Sequence, residues 1–183
     1  DVNSNTENYT RLDSAYATTL DWDALNFAGT TYDSISFSVL SQESSTQGLA
    51  FNSDGTKMYV VGEVADSVLE YNLSTAFDVS TAVYSQGFSV TSQENSPKSV
   101  FFNPTGTKMF VLGTGSDAVN EYTLSTGFDV STASYSQNFS VSAQDTFPSG
   151  LAFNSSGTKM FVVGGSGLDV NEYTLSTGFD VST

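Results

Sequence analysis

The sequence predicts an all-β fold built from four-stranded antiparallel sheets, three of them in tandem, and three observations carry that expectation. First, Phe51, Phe102 and Phe153 stand 51 residues apart, as do Gly55/Gly106/Gly157, Lys57/Lys108/Lys159, Tyr71/Tyr122/Tyr173 and Phe77/Phe128/Phe179. A repeat of that length is one supersecondary unit that buries its apolar face only by stacking on copies of itself. Second, each unit is a series of short Val/Tyr/Phe/Thr-rich segments, which favour strands. Third, Gly, Asn and Asp punctuate those segments at turn spacing.

The elements follow in order along the unit that begins near Gln47. Gly48–Phe51 is a short apolar run closed by Asn52-Ser53-Asp54-Gly55, a hairpin signal. Glycine holds the last place of this turn in every copy, as a position needing positive φ requires. Pro104 in the second copy fits the same turn, because its ring pre-sets φ for an early position. Lys57–Gly62 is apolar on both faces and reads as a strand covered on both sides. A variable turn follows (63–67, 114–118 and 165–169), then Val68–Leu73 as a third strand of alternating polarity. After a connection carrying Phe77-Asp78-Val79, Ala82–Val90 forms the fourth strand, with Tyr84, Phe88 and Val90 as its apolar residues.

Four short antiparallel strands per unit, aromatic-rich and turn-punctuated, make a β-propeller blade. A helical repeat does not fit segments this short, and β-solenoid rungs recur at shorter periods. Phe51, Phe102 and Phe153, with Tyr71, Tyr122 and Tyr173, are the expected repeat core. The Phe residues are expected between blades.

The phrases FNSDGTKMYVVG and EYNLSTAFDVSTAVYSQ resemble the β-propeller repeats of the YVTN/NHL style found in phage tail-type and secreted bacterial proteins. The resemblance covers residues 36–183 and implies the fold. It implies little about activity, because propellers host many unrelated functions.

The domain organisation expected is an N-terminal partial-repeat segment, 1–35, followed by three repeats over 36–183 with blade cores at about 47–90, 98–141 and 149–183. Leu20-Asp21-Trp22-Asp23 loosely echoes Leu73 to Asp78. The stretch Thr31–Val39 resembles the fourth strand Val83–Val90 with one residue inserted, whereas the third unit stops before its own fourth strand. Tyr32, Ile35, Phe37 and Val39 are thus the candidate assembly strand. Three blades are too few for a ring of four to eight. The chain is therefore expected either to complete a ring or filament with another copy by strand exchange, or to be a piece of a longer propeller.

Composition narrows the partners. With 20 acids against 5 bases the net charge is −15, which excludes a phosphate-binding face for nucleic acid. No apolar run approaches membrane-spanning length, so membrane insertion is not expected. The chain has no His and no Cys, which excludes Ser-His-Asp, Cys-His and His-metal chemistry.

The acids recur instead as Glu43/Glu94/Asp145, Glu70/Glu121/Glu172 and Asp78/Asp129/Asp180. A catalytic carboxylate pair needs two unlike environments in one place. Repetition in every blade therefore marks a structural role. The Asp78 series is expected to cap a turn, and the Glu70 series to face the Lys57 series in exposed pairs of little energetic weight. No cofactor is expected, with calcium as the one metal the oxygen ligands could hold.

The variable turns, marked by Asp66, Asp117 and Asp169, are the candidate contact loops. The reading that results is a non-enzymatic structural or adhesive propeller, extracellular or on a cell or virion surface. Its expected partners are itself and a surface glycan or protein. A lectin-like ligand binder is the alternative, and a lactonase-like hydrolase ranks last.

Overall fold

A computed structural model describes residues 31–183. Residues 36–183 form one compact unit, and Thr31–Ile35 belong to a separate unit with the residues before them. The echo at Leu20–Asp23 lies outside the described residues.

Eleven strands form three antiparallel sheets, with no α-helix among the described residues. The first sheet holds β1 (Thr46–Phe51), β2 (Lys57–Gly62), β3 (Ser67–Leu73) and β4 (Ala82–Ser89), in that spatial order. The second holds β5 (Pro97–Phe102), β6 (Lys108–Gly113), β7 (Ala118–Leu124) and β8 (Ala133–Ser140). The third has three strands, β9 (Pro148–Phe153), β10 (Lys159–Gly164) and β11 (Val170–Thr174). The strand bounds expected from the repeat differ from these by one or two residues. From sheet to sheet, β1 neighbours β5 and β5 neighbours β9, so the first strands share the inner side of the arc.

The tight turn of each blade depends on one missing side chain. Gly55, Gly106 and Gly157 have φ of 73°, 69° and 71°. The Phe77, Phe128 and Phe179 rings lie over them, themselves at φ of 59°, 61° and 58°. A Cβ on Gly106 would stand 2.3 Å from Phe128 Cδ2. Gly106→Ala therefore combines left-handed backbone with overpacking and is expected to destabilise by about 2–4 kcal/mol, read as a lowered urea midpoint.

The blades are joined by two apolar seams. In the first, Tyr59, Val61, Val68 and Val90 of one blade meet Phe102, Met109, Val111 and Tyr122 of the next. In the second, Phe110, Leu112, Val119 and Val141 meet Met160, Val162, Leu175 and Val181. Of the repeated Phe residues, Phe102 is buried in the first seam and Phe153 is half-buried against the second. Phe102 lies 4.3 Å from the Tyr59 ring, and Phe153 lies 4.7 Å from Phe110. Phe51 occupies the equivalent place in the first blade, where it packs on Phe77 of its own blade at 5.6 Å.

The spare strand proves to be a docked extended segment. Residues 36–39 enter no sheet. Phe37 nevertheless meets Tyr71 edge-on at 5.5 Å, as Phe88 meets Tyr122 at 5.5 Å and Phe139 meets Tyr173 at 5.3 Å. Val39 accepts from Gln42 N and Glu43 N, as Val90 accepts from Gln93 N and Glu94 N. Phe37 and Val39 thus stand where the fourth strand of a preceding blade would end.

Candidate functional site

The repeated acids are where the sequence expectation needs its first correction. Glu70 and Glu121 are buried, at 1% and 2% exposure, because the following blade covers them. Glu70 takes Lys57 Nζ at 2.5 Å, Gln86 Nε2 at 2.9 Å and, from the next blade, Val130 N at 3.1 Å. Glu121 repeats the set with Lys108 at 2.7 Å, Gln137 at 2.9 Å and Val181 N at 3.0 Å. These are interblade latches. Only Glu172, 53% exposed beside Lys159, matches the exposed pair that the sequence suggested.

The Asp78 series does cap its turn. Asp78, Asp129 and Asp180 each accept from the backbone N two residues on, and Gln86 and Gln137 reach Asp129 and Asp180 from the preceding blade at 2.7 Å. Hydrogen bonds from Ser131 and Gln86 hold the Asp129 carboxyl below the usual range, against the opposing pull of desolvation. Glu43, Glu94 and Asp145 close the turns at one end of the blades, accepting from Ala65 N, Gly115 N and Gly167 N at 2.9, 2.8 and 2.8 Å. Among the described residues, no group of three or more acids converges as a metal site would require.

Of the contact-loop residues, Asp66 and Asp117 are equivalent and Asp169 is not. Asp66 and Asp117 have φ of 46° and 48°, and their carbonyls take Val90 N and Val141 N at 2.9 Å. The residue in that conformation in the third blade is Leu168, at φ 58°, and Asp169 follows it. These aspartates hold the end of the fourth strand, a structural duty the sequence did not disclose. Tyr84 and Tyr135, half-exposed on the outer strands, stand edge-on to Tyr71 and Tyr122 at 5.6 and 5.7 Å.

One polar cluster departs from the repeat. Lys57, Lys108 and Lys159 all pair with the repeated glutamates, whereas Lys98 stands where the other repeats have Gln47 and Ser149. Lys98, on β5 at the inner side, donates to Glu63, which follows β2 of the preceding blade. Glu63 also accepts from Ser96 Oγ at 3.1 Å and Ser45 Oγ at 3.3 Å, and Thr114 Oγ1 donates to Ser96 Oγ at 3.0 Å.

The backbone places these groups. Glu63 N bonds Ser45 O and Thr114 N bonds Ser96 O, both at 3.1 Å, so each turn is tied to the start of its own inner strand. Close approach of β1 and β5 brings the two blades' clusters together, for a Cβ on Gly48 would stand 2.8 Å from the Lys98 carbonyl. In the third repeat the corresponding residues are Phe147, Ser149 and Gly165, so the arrangement occurs once.

Hydrogen bonds from Lys98 and Ser96 hold the Glu63 carboxyl below the ordinary range, so at neutral pH the site is a carboxylate touching an ammonium and two hydroxyls. This pair of opposite charge occurs at one place, outside the 51-residue period.

No family model matches the chain, and no curated protein matches it. Solved structures do resemble it. A provisionally named 6-phosphogluconolactonase of Bacteroides uniformis is 14% identical with a TM-score of 0.55, covering 72% of this chain and 37% of that one. A second of the same provisional name, from Bacteroides fragilis, gives 14% identity and a TM-score of 0.56 over 70% of this chain and 34% of the other. The periplasmic gluconolactonase of Pseudomonas aeruginosa gives 18% and 0.53, over 70% and 35%.

The chain thus spans about a third of the length of these structures. At such identity the likeness shows a propeller-like fold. It also corrects the expectation of a non-enzymatic structural or adhesive module. The step from repeated blades to the absence of an enzyme does not hold, because proteins bearing lactonase names carry the same frame. Among the described residues no helix is long and apolar enough to cross a membrane.

Proposed function

We propose that the chain forms three blades of a lactonase-like hydrolase acting on a sugar lactone, with Glu63 and Lys98 as its reacting pair. The observation that carries this reading is the single unrepeated carboxylate–ammonium cluster at the inner side of a frame shared with lactonase-named structures.

In the reaction, Glu63 takes a proton from water as the water oxygen bonds to the lactone carbonyl carbon. The Lys98 ammonium offsets the charge that develops on the carbonyl oxygen. As the carbonyl re-forms, the ring C–O bond breaks. The leaving alkoxide takes the proton from Glu63, and the open-chain hydroxy acid results.

The charge of −15, with Lys98 the only lysine outside the repeated pairs, favours an uncharged lactone over a phosphorylated one. A periplasmic or secreted location goes with this proposal, as does completion of the ring by further blades.

The test is hydrolysis of δ-gluconolactone and its 6-phosphate, followed by acid release above the spontaneous rate. The expected result is faster turnover of the neutral lactone, lowered roughly 100-fold or more in both Glu63→Gln and Lys98→Met. Because Glu63 acts as its carboxylate and its pKa is lowered, the acid limb of the rate profile should fall below the ordinary glutamate range. A folded protein that accelerates neither lactone overturns the proposal.

A further inference from the structure

The seam between the first and second blades encloses a polar place that departs from the repeat. Asn120, on β7, stands where the first blade has Leu69 and the third has Asn171. It is fully buried, as is Tyr122 two residues on, and the two side chains leave the same face of the strand. That face receives Tyr59, Val68 and Val90 of the first blade.

The third blade shows what these two groups do when partners are at hand. There Asn171 Nδ2 donates to Asp169 Oδ1 at 3.0 Å, and the Tyr173 hydroxyl donates to Gln144 Oε1 at 3.2 Å. In the second blade Ala118 replaces Asp169, and Asn120 Nδ2 turns to Ser116 Oγ at 3.2 Å. Ser116 gives its own hydrogen to Glu94 at 2.6 Å. Asn120 Oδ1 and the Tyr122 hydroxyl, both buried, are left without a partner among the described residues. Turning the amide over only exchanges an unpartnered oxygen for an unpartnered N–H, because Ser116 has no second hydrogen to give.

Both groups belong to the surroundings of one turn, which carries Gln93 and Glu94. Asn120 is linked to Glu94 through Ser116. Burial first, and then the charges of Tyr135 and Glu94, push the Tyr122 phenol up. Buried polar atoms in native proteins nearly always have a partner, either protein or ordered water.

We propose that this joint holds one structural water as part of its fabric. The water accepts from the Tyr122 hydroxyl and gives one hydrogen to Asn120 Oδ1. Its second hydrogen goes to Gln93 Oε1, counterpart of the Gln144 oxygen that takes Tyr173 directly. A hydroxyl and an amide oxygen that do not bond each other are what a single water bridges. Val68, Phe88 and Val90 pack around the site and separate it from bulk solvent. The first blade has Leu69 at this point and lacks the second anchor. From the water a polar chain runs through Asn120, Ser116 and Glu94 to Ser96, whose hydroxyl touches Glu63.

The inference does not rest on lactone hydrolysis, and its readout is separate. A high-resolution crystal structure of the full chain should show one solvent oxygen within hydrogen-bond distance of both Asn120 Oδ1 and the Tyr122 hydroxyl. In solution, oxygen-17 relaxation of water should show one long-lived water fewer in Asn120→Leu, which copies the first blade. Tyr122→Phe, which removes only the hydroxyl, should show the same loss. A direct bond from Tyr122 to Asn120 or Gln93, with no oxygen between, overturns the inference. So does a count of long-lived waters that either variant leaves unchanged. A peak that appears only with added sodium or potassium overturns it as well, because it marks a cation.

Discussion

Phe110→Ala is expected to destabilise the chain by about 3–5 kcal/mol, lowering the melting temperature by roughly 10 °C. Phe110 is fully buried in the second seam, 4.7 Å from Phe153, with Phe101 and Phe179 around it at 6.3 and 6.4 Å. Both blades that enclose it are fixed by their own hairpins. The space left by the ring therefore closes poorly, and the cavity adds to the lost transfer energy. Phe161→Ala, the same change one repeat later, removes a half-buried ring that no further blade covers among the described residues and should cost less than half as much. Thermal unfolding of the two variants, at a concentration where the chain is monomeric, separates seam packing from intrinsic strand preference. Equal losses would show that the seam contributes nothing.

Glu121→Ala should lower stability by about 3 kcal/mol, toward the lower end for a broken buried pair, because Lys108 keeps partial contact with water. The variant leaves Val181 N–H without its acceptor in a buried joint, whereas Gln137 Nε2 keeps Asp180 as a partner. Glu121→Gln keeps one acceptor oxygen and should recover part of the loss. Glu172→Ala, at the exposed end of the arc, should change the monomer little, as surface pairs do. If urea midpoints for Glu121→Ala and Glu172→Ala coincide, the latch is not a latch.

What the residues disclosed in advance was local, and what they concealed was tertiary. Gly55, Gly106 and Gly157 announced positive φ because a turn of that spacing admits little else, and the strand edges followed from the turns. Glu70 gave no sign of burial, since the atoms that cover it lie 60 residues further on, at Val130. Asp169 was grouped with Asp66 and Asp117 by its residue type, although counting 51 from Asp117 reaches Leu168. The Glu63–Lys98 cluster does not recur, so the 51-residue period gives no sign of it. Its signal was available in Lys98, the one lysine out of register, but its partner lies 35 residues away in another blade.

The joint between blades has a genetic consequence. Each is made by a residue and its partner about 60 positions later, such as Glu70 with Val130 and Glu121 with Val181, across a repeat of 51. Duplicating or deleting any in-frame stretch of one repeat length regenerates a whole joint wherever the breakpoints fall, even inside a strand. Unequal crossing-over within such a gene therefore changes the number of blades without leaving a mismatched seam. The near-identity of the units is what lets the products of such an exchange fold.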